Sequence, residues 1–304
     1  MRVLIAGGTG LIGQALVKDL LTDGHDVVVL SRFPERYRSQ MPAPVELVRW
    51  DGQTLGEWAA LVNEVEAIVN LAGENIAAGR WTAERKRRIR DSRVNAGRVL
   101  AEAVQQAQHP PRVFIQGSAV GYYGPRGEEE VTEEAPPGGD FLGNVAQEWE
   151  ASSRSVEALG VRRVIIRTGI VLSRRGGALA RMVWPLRLGV AGPLGSGQQW
   201  FPWIHIVDEV KAIRFLLENE HAHGPYNLTA PQPVRNAEFI RTAARILKRP
   251  AFMRVPAVAL RLLFGEMADV LLEGQKAVPR RLLAEGYTFR FPTLEAALRD
   301  IFYE

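Results

Sequence analysis

The stretch Val3-Leu4-Ile5-Ala6-Gly7-Gly8-Thr9-Gly10-Leu11-Ile12-Gly13 decides how the rest of the chain is read. Its first four residues form an unbroken apolar run that stops at glycine. Such a run fits a strand of a parallel sheet, which is covered on both faces and so shows no polar–apolar alternation. From Leu11 the apolar spacing becomes helical, through Ile12, Ala15, Leu16, Leu20 and Leu21, and Gly24 ends it. Gly7 permits a tight turn out of the strand. Gly10 leaves a ligand room against bare backbone, and Gly13 lets the helix pack closely. The helix then presents unbonded N–H groups and the positive end of its dipole, both of which favour phosphate. A glycine triplet alone is a weak signal. Between a first strand and a first helix it points to the pyrophosphate of a dinucleotide.

Working outward, residues 26–30, 45–48, 67–71, 113–115, 164–166 and 226–228 read as further strands. Helices are expected over 55–62, 83–108, 142–159 and 206–217. Strand and helix alternate with short connections, so the expected fold is α/β: a Rossmann doubly wound parallel sheet. Right-handed crossovers bring all strand C-termini to one edge, where the functional loops should gather. Beyond Thr168 the rhythm breaks. Gly176, Gly177, Gly189, Gly192, Gly195 and Gly197 share one stretch with Trp184, Trp200, Phe201 and Trp203, and 236–302 is mostly amphipathic helix. These segments predict a smaller, mainly helical C-terminal substrate domain, or cap. The two units interleave: 1–171 with about 204–230 in the Rossmann domain, and about 172–203 with 231–304 in the cap.

An Asp or Glu after the second strand would accept a bond from a ribose 2′-hydroxyl and select NAD. Ser31-Arg32 stand there instead. The guanidinium can pair with a 2′-phosphate and the hydroxyl can donate to it, so NADP(H) is the expected cofactor.

The 304 residues include no cysteine, which removes disulfides, thiolate metal sites, iron–sulfur ligation and cysteine nucleophiles. No metal site is expected, since His221 and His223 lie in a turn-like stretch without nearby partners. A formal charge of +4 over this length does not point to nucleic acid. The densest basic run, Arg85-Lys86-Arg87-Arg88, has Glu84 and Asp91 close by and reads as a solvated helix face. No apolar run approaches the roughly 18 residues that span a bilayer. Met1-Arg2 leads straight into a strand, so neither a membrane partner nor a signal peptide is expected. The expectation is a soluble cytoplasmic protein whose partner is a small-molecule substrate.

Motifs at the ligand edge add a resemblance. Asn70-Leu71-Ala72-Gly73 follows the fourth strand, and Ser118-Ala119-Val120-Gly121-Tyr122-Tyr123-Gly124 follows the fifth. With the glycine loop they resemble an extended, or atypical, short-chain dehydrogenase/reductase. Gly73-Glu74-Asn75-Ile76 with Arg80-Trp81, Gly192-Pro193-Leu194-Gly195-Ser196-Gly197-Gln198, Trp203-Ile204-His205-Ile206 and Leu272-Glu273-Gly274-Gln275-Lys276 narrow this to a sugar-epimerase-like family. The resemblance spans essentially the whole chain. It implies a cofactor held by Gly7, Thr9, Gly10, Leu11, Ile12, Gly13, Ser31, Arg32, Leu71, Ala72, Gly73, Glu74, Arg80 and Gly117.

The chemistry of that class needs a Tyr to move the proton and a Lys four residues on to lower its pKa and hold the ribose. A Ser or Thr polarises the substrate oxygen. The helix after the fifth strand should carry the Tyr and Lys. It reads Gly139-Asp140-Phe141-Leu142-Gly143-Asn144-Val145-Ala146-Gln147-Glu148-Trp149-Glu150 and has neither. Asp140 and Asn144, or Phe141 and Val145, occupy the two places according to register. Ser118 stands near the Ser position, with Ala119 in the alternative register. Tyr122 and His205 are the other candidates for catalysis. Two functions fit: an NADP(H)-dependent, epimerase-like oxidoreductase of unknown substrate that uses a non-standard acid, or a non-catalytic NADP(H)-binding module that reports redox state through the cap.

Overall fold

The structure, a computed structural model, describes residues 1–189 and 191–303. Seven strands form the main sheet: β1 (Arg2–Ala6), β2 (Asp26–Ser31), β3 (Glu46–Arg49), β4 (Ala67–Asn70), β5 (Val113–Ala119), β6 (Arg162–Thr168) and β7 (Gly224–Leu228). Every neighbouring pair is parallel, in the order β7-β6-β5-β4-β1-β2-β3. The order reverses between β1 and β4, the crevice where an open α/β sheet takes its ligand.

The helices that matter are α1 (Leu11–Thr22), α2 (Ala83–Gln106), α3 (Phe141–Ala151), α4 (Gly177–Arg187), α5 (Ile206–Glu218), α6 (Asn236–Leu247), α7 (Ala257–Phe264) and α8 (Leu294–Tyr303). Alternate strand residues explain the solid apolar runs. Val3, Ile5, Val29 and Ile115 pack with Leu16 and Leu20 of α1 and Ile213 of α5. Leu4, Ile68 and Phe114 face the other way, onto Val99, Leu100 and Val104 of α2. Both faces are dry, so the central strands β1, β2 and β4 are apolar at nearly every position. A full burial of such side chains stabilises by roughly 1.5–3 kcal/mol each.

A third core lies outside the sheet. Leu179, Val183 and Leu186 of α4, Phe239 and Ile240 of α6, and Leu294 and Leu298 of α8 close around Phe201 and Trp203. The chain reaches this core twice, after β6 and again after β7, and three short strand pairs stitch it down. Residues 170–172 pair with 203–205, 200–201 with 234–235, and 276–277 with 130–131.

Several expected elements differ locally. The helix expected over 142–159 ends at Ala151, and Arg154–Leu159 is 3-10. Ser152 bonds back to the Trp149 carbonyl at 2.6 Å, a side-chain competition that interrupts helical bonding. The segment expected as helix over 55–62 is a 3-10 turn, Glu57–Glu64. The strand at 276–277, inside a region expected to be helical, is too short to leave a periodic signal.

Candidate dinucleotide cleft and catalytic edge

The glycine loop is built from backbone contacts. Gly7 has φ +80°, and a Cβ there would lie 2.6 Å from the Leu71 carbonyl. The first loop and the loop after β4 therefore touch main chain to main chain. A Cβ on Gly13 would come within 2.4 Å of the Gly7 oxygen. Gly10 is different: a Cβ would meet only that same oxygen, at 3.3 Å, and otherwise open space. Gly10 caps α1 without a side-chain bond, so the first N–H groups of the helix remain for a ligand. Thr9, Leu11 and Ile12 are partly exposed around this cradle. The donors and the open face over Gly10 fit a pyrophosphate.

At the end of β2, Arg32 is exposed, whereas Ser31 is buried and its oxygen accepts from the Phe33 N–H at 3.2 Å. A cleft of about 690 Å³ opens beside them, lined by Arg32, Arg49, Trp50, Asp51 and Trp58. Arg49 and Trp50 were not among the candidates read from sequence. Arg49 ends β3 and Trp50 follows it at the ligand edge, and that position is the signal that points to them. Asp51 accepts from Gln53 and Thr54, chiefly the Thr54 hydroxyl, which holds its pKa below the usual carboxylate range. Its oxygens are thereby occupied, and the two guanidinium groups leave the cleft suited to an added phosphate.

The loop after β4 extends the cleft. Leu71 and Ala72 are partly exposed and Gly73 is exposed. Glu74 is tied to Arg85 at 3.3 Å and to the Ser92 hydroxyl through its N–H. Arg80 is exposed and lies beside Gly265. The basic run is only half a solvated face. Arg85 and Lys86 are partly buried and bond to Asn75 and Glu266, while Arg87 and Arg88 are exposed. Arg93, one turn further along α2, is not singled out by sequence among the cofactor residues, although the 70–93 stretch is expected to touch the cofactor. Its side chain lies next to Gly73, over the Trp149 ring at 5.1 Å, and bonds to the Ile89 carbonyl. Among the described residues no carboxylate lies within 4.0 Å of it, and burial lowers its pKa to about 10. A cation so placed is ready for an anion at the end of β4. Gly117 is buried, with a would-be Cβ 2.6 Å from the Asn70 carbonyl, so its lack of a side chain serves strand packing.

The edge of β5 and β6 carries a closed polar network. Ser118 donates to Glu150 at 2.7 Å. Arg167 clamps both Glu150 oxygens at 2.8 and 2.9 Å and donates to the Tyr123 hydroxyl at 3.0 Å. Tyr123 donates in turn to Asn227 at 2.7 Å. Burial pushes the Tyr123 phenol up to about 12. Tyr122 is partly exposed, with its ring 3.5 Å from the Arg167 guanidinium carbon. Its hydroxyl has no hydrogen-bond partner among the described residues. Ala119, the next residue on β5, pairs in register with Thr168 and brings no polar group. Thr168 donates to Glu209 at 2.8 Å, and Glu209 is wholly buried with its second oxygen unpartnered among the described residues.

At the start of α3, Asp140 is consumed as N-cap, accepting from the Gly143 N–H. Phe141 stacks edge-on against Trp81 at 5.1 Å, and Val145 is buried. His205 is elsewhere. Its Nδ1 accepts from the Val207 N–H at the start of α5, its ring packs on Phe291, and its Nε2 lies 3.2 Å from Asp300. Burial, then Arg290, lowers its pKa to about 4. It lines a groove of about 970 Å³ outside α1 that does not include Ser118 or Tyr122. The three catalytic candidates are therefore not gathered at one point. Among the described residues no group of three or more His, Cys, Asp or Glu side chains could hold a metal ion. No helix among them is long and apolar enough to cross a membrane.

A parallel sheet ordered in this way, with a glycine cradle at its reversal point and a helical C-terminal region, is the architecture of extended short-chain dehydrogenases and epimerases. The chain belongs to the NAD dependent epimerase/dehydratase family, whose model matches residues 3–229. A domain of unknown function, DUF1731, matches 255–301. The mouse epimerase family protein SDR39U1 is 42% identical, with 99% of each chain covered. The crystal structure of human SDR39U1 with NADPH superposes with a TM-score of 0.89 at 42% identity, covering 99% of each chain. The UDP-glucose 4-epimerase of Thermus thermophilus, in complex with NAD, shares the fold with a TM-score of 0.80 at 22% identity, covering 99% of this chain and 97% of that one.

Proposed function

We propose that this chain binds NADP(H) and acts as an epimerase-like oxidoreductase on a small molecule, without the Tyr-x-x-x-Lys pair. The observation that carries the cofactor choice is the exposed Arg32 at the end of β2, with Arg49 lining the same cleft and the oxygens of Asp51 already bonded. A relative of 42% identity crystallised with NADPH supports the same choice. Bound there, the cofactor supplies or takes up a hydride. The chain's part is to hold it: α1 N–H groups at the pyrophosphate, Arg32 at the 2′-phosphate, and Arg93 with the 71–80 loop nearer the reactive end. Segments 172–203 and 231–304 form the cap over that end, and a cytoplasmic location belongs to the same reading.

For the proton, Tyr122 is the best candidate of the three. Ser118 already donates to Glu150, and His205 caps a helix beside a different groove. Titrating NADPH and NADH into the wild type and Arg32→Ala tests the cofactor reading. Wild type should prefer NADPH, and the variant should lose roughly 1.5–3 kcal/mol of NADPH affinity only. Equal wild-type affinities would sink it.

A second reading is favoured by the closure of the Ser118–Glu150–Arg167–Tyr123 network and by Phe141 at the head of α3. Those features leave little free acid at the edge and suit a binding module. Steady NADPH consumption with a carbonyl or nucleotide-sugar substrate, lost in Tyr122→Phe, decides for the enzyme.

A further inference from the structure

The cap presents a surface that the cofactor reading does not use. Trp184 and Leu188 at the end of α4, Phe252, and Val258, Leu262 and Leu263 of α7 are each more than half exposed. The segments that carry them adjoin. The 191–195 and 253–255 segments run side by side, through Met253 N–H to Ala191 O at 3.3 Å, Val255 N–H to Pro193 O at 3.0 Å and Gly195 N–H to Val255 O at 2.8 Å. Gly189 lies against Pro250. The end of α4 and the start of α7 therefore flank one ribbon. Six large apolar side chains on adjoining segments exceed the scattered exposure normal for a soluble surface.

The charges of the same segments are one-sided. Residues 174–207 hold Arg174, Arg175, Arg181 and Arg187 and no Asp or Glu. Residues 239–265 hold Arg241, Arg245, Lys248, Arg249, Arg254 and Arg261 and again no Asp or Glu. These two stretches carry ten cations, against a formal charge of +4 for the whole chain, so the remainder is net acidic. All ten are exposed, and among the described residues only Arg245 and Arg261 have a carboxylate within 4.0 Å; four of the other eight are Arg187, Lys248, Arg249 and Arg254. All four sit next to the apolar ribbon: Arg187 beside Leu188, Lys248 and Arg249 before Pro250, and Arg254 two residues from Phe252.

We propose that this face of the cap docks on the surface of an anionic lipid bilayer, with Trp184, Phe252 and α7 entering the headgroup boundary. Apolar side chains ringed by unpaired cations are the two components of interfacial membrane binding, and Trp is favoured at that depth. A second copy of the chain is a poor occupant. A two-fold contact sets each patch against itself and would bring the four unpaired cations of each protomer together. The expectation of no membrane partner rested on the lack of a spanning segment, and a surface contact needs none.

The test is flotation of the full-length chain with phosphatidylcholine vesicles, with and without phosphatidylglycerol. Binding should require phosphatidylglycerol and weaken as salt rises. Replacing Arg187, Lys248 and Arg249 by Gln together should lower partitioning about a hundredfold, at roughly fivefold per charge. Phe252→Ser with Leu262→Ser should lower it as well. All these positions are exposed, so melting curves should match the wild type, and this outcome does not depend on which cofactor binds. Absence of binding to anionic vesicles, or binding untouched by either set of substitutions, overturns the proposal. So does a dimer in analytical ultracentrifugation that Phe252→Ser with Leu262→Ser dissociates, since the patch would then belong to a second copy.

Discussion

Ser118 separates a structural edge from a catalytic one. Its hydroxyl donates to Glu150 at 2.7 Å, Glu150 is clamped by Arg167, and none of the three is more than 8% exposed. Ser118→Ala removes one hydrogen bond to a charged acceptor, a loss of roughly 1.5–3 kcal/mol. The Glu150–Arg167 pair survives that change. Glu150→Ala does more damage, because it strands a guanidinium that is only 4% exposed. Breaking a buried pair from one side costs about 3–5 kcal/mol. If Ser118 acts only through Glu150, adding Ser118→Ala to Glu150→Ala should cost almost nothing further, so the double-mutant coupling should equal nearly the whole Ser118→Ala effect. Urea unfolding of the four proteins measures this, with NADPH fluorescence titration alongside. NADPH affinity should not change in Ser118→Ala. An unchanged unfolding midpoint together with lost NADPH binding or lost turnover would refute the reasoning and return the hydroxyl to the ligand.

Gly10→Val should abolish dinucleotide binding in a folded protein, because its side chain enters the open cradle, whereas Gly13→Ala should destabilise the fold, its Cβ lying 2.4 Å from the Gly7 oxygen; cofactor titration and melting curves distinguish the two, and a Gly10→Val that still binds would misplace the pyrophosphate. Burial raises the Glu209 pKa to about 8 from 4.5, so the folded chain keeps a proton that the unfolded chain releases, and stability falls as pH rises across that window. Glu209→Gln should flatten this slope in urea midpoints taken between about pH 5 and 8; an unaltered slope would mean the carboxyl is not the source. His205 runs the other way: with burial lowering its pKa to about 4 from 6.5, the unfolded chain takes up the proton first, and stability is lost as pH falls through that range, the loss being reduced by the Asp300 carboxylate 3.2 Å from Nε2. His205→Gln should remove that loss while leaving turnover in place, and a crippled enzyme would instead make this histidine catalytic.

The fold was legible because its signals repeat. The central strands are dry apolar runs, the helices packed on them have an apolar stripe, and both patterns arise from a sheet covered on two faces. The pyrophosphate cradle was legible for a related reason. It is made of backbone, so its requirement appears as glycine at fixed spacing, whatever the side chains do. The adenosine end was read only in half. Arg32 follows a recognised rule, but Arg49 ends β3 and Trp50 follows it, and that strand, partly buried in the middle and exposed at both ends, leaves a weak pattern. Arg93 was hidden inside a helix whose many arginines look alike in sequence. Only the loop after β4, folding Gly73 onto it, distinguishes Arg93 from Arg87 or Arg88.

The catalytic edge resisted reading because its side chains choose among partners far apart in the chain. Ser118 and Glu150 are separated by 32 residues, and Tyr123 and Asn227 by 104. No local pattern records such pairings. The adjacent tyrosines Tyr122 and Tyr123 look equivalent in sequence, and the network separates them. Tyr123 is fully buried and bonded on both sides, to Arg167 and to Asn227. Tyr122 is held by its ring alone, against the same Arg167, which leaves its hydroxyl unpartnered at the partly exposed end of β5. The guanidinium that neutralises Glu150 thus also orients Tyr122. An edge without the usual Lys still has a fixed cation beside a phenol, supplied from β6 rather than from the helix after β5. That substitution of one element for another is why the missing Tyr-x-x-x-Lys pair does not by itself decide between an enzyme and a binding module.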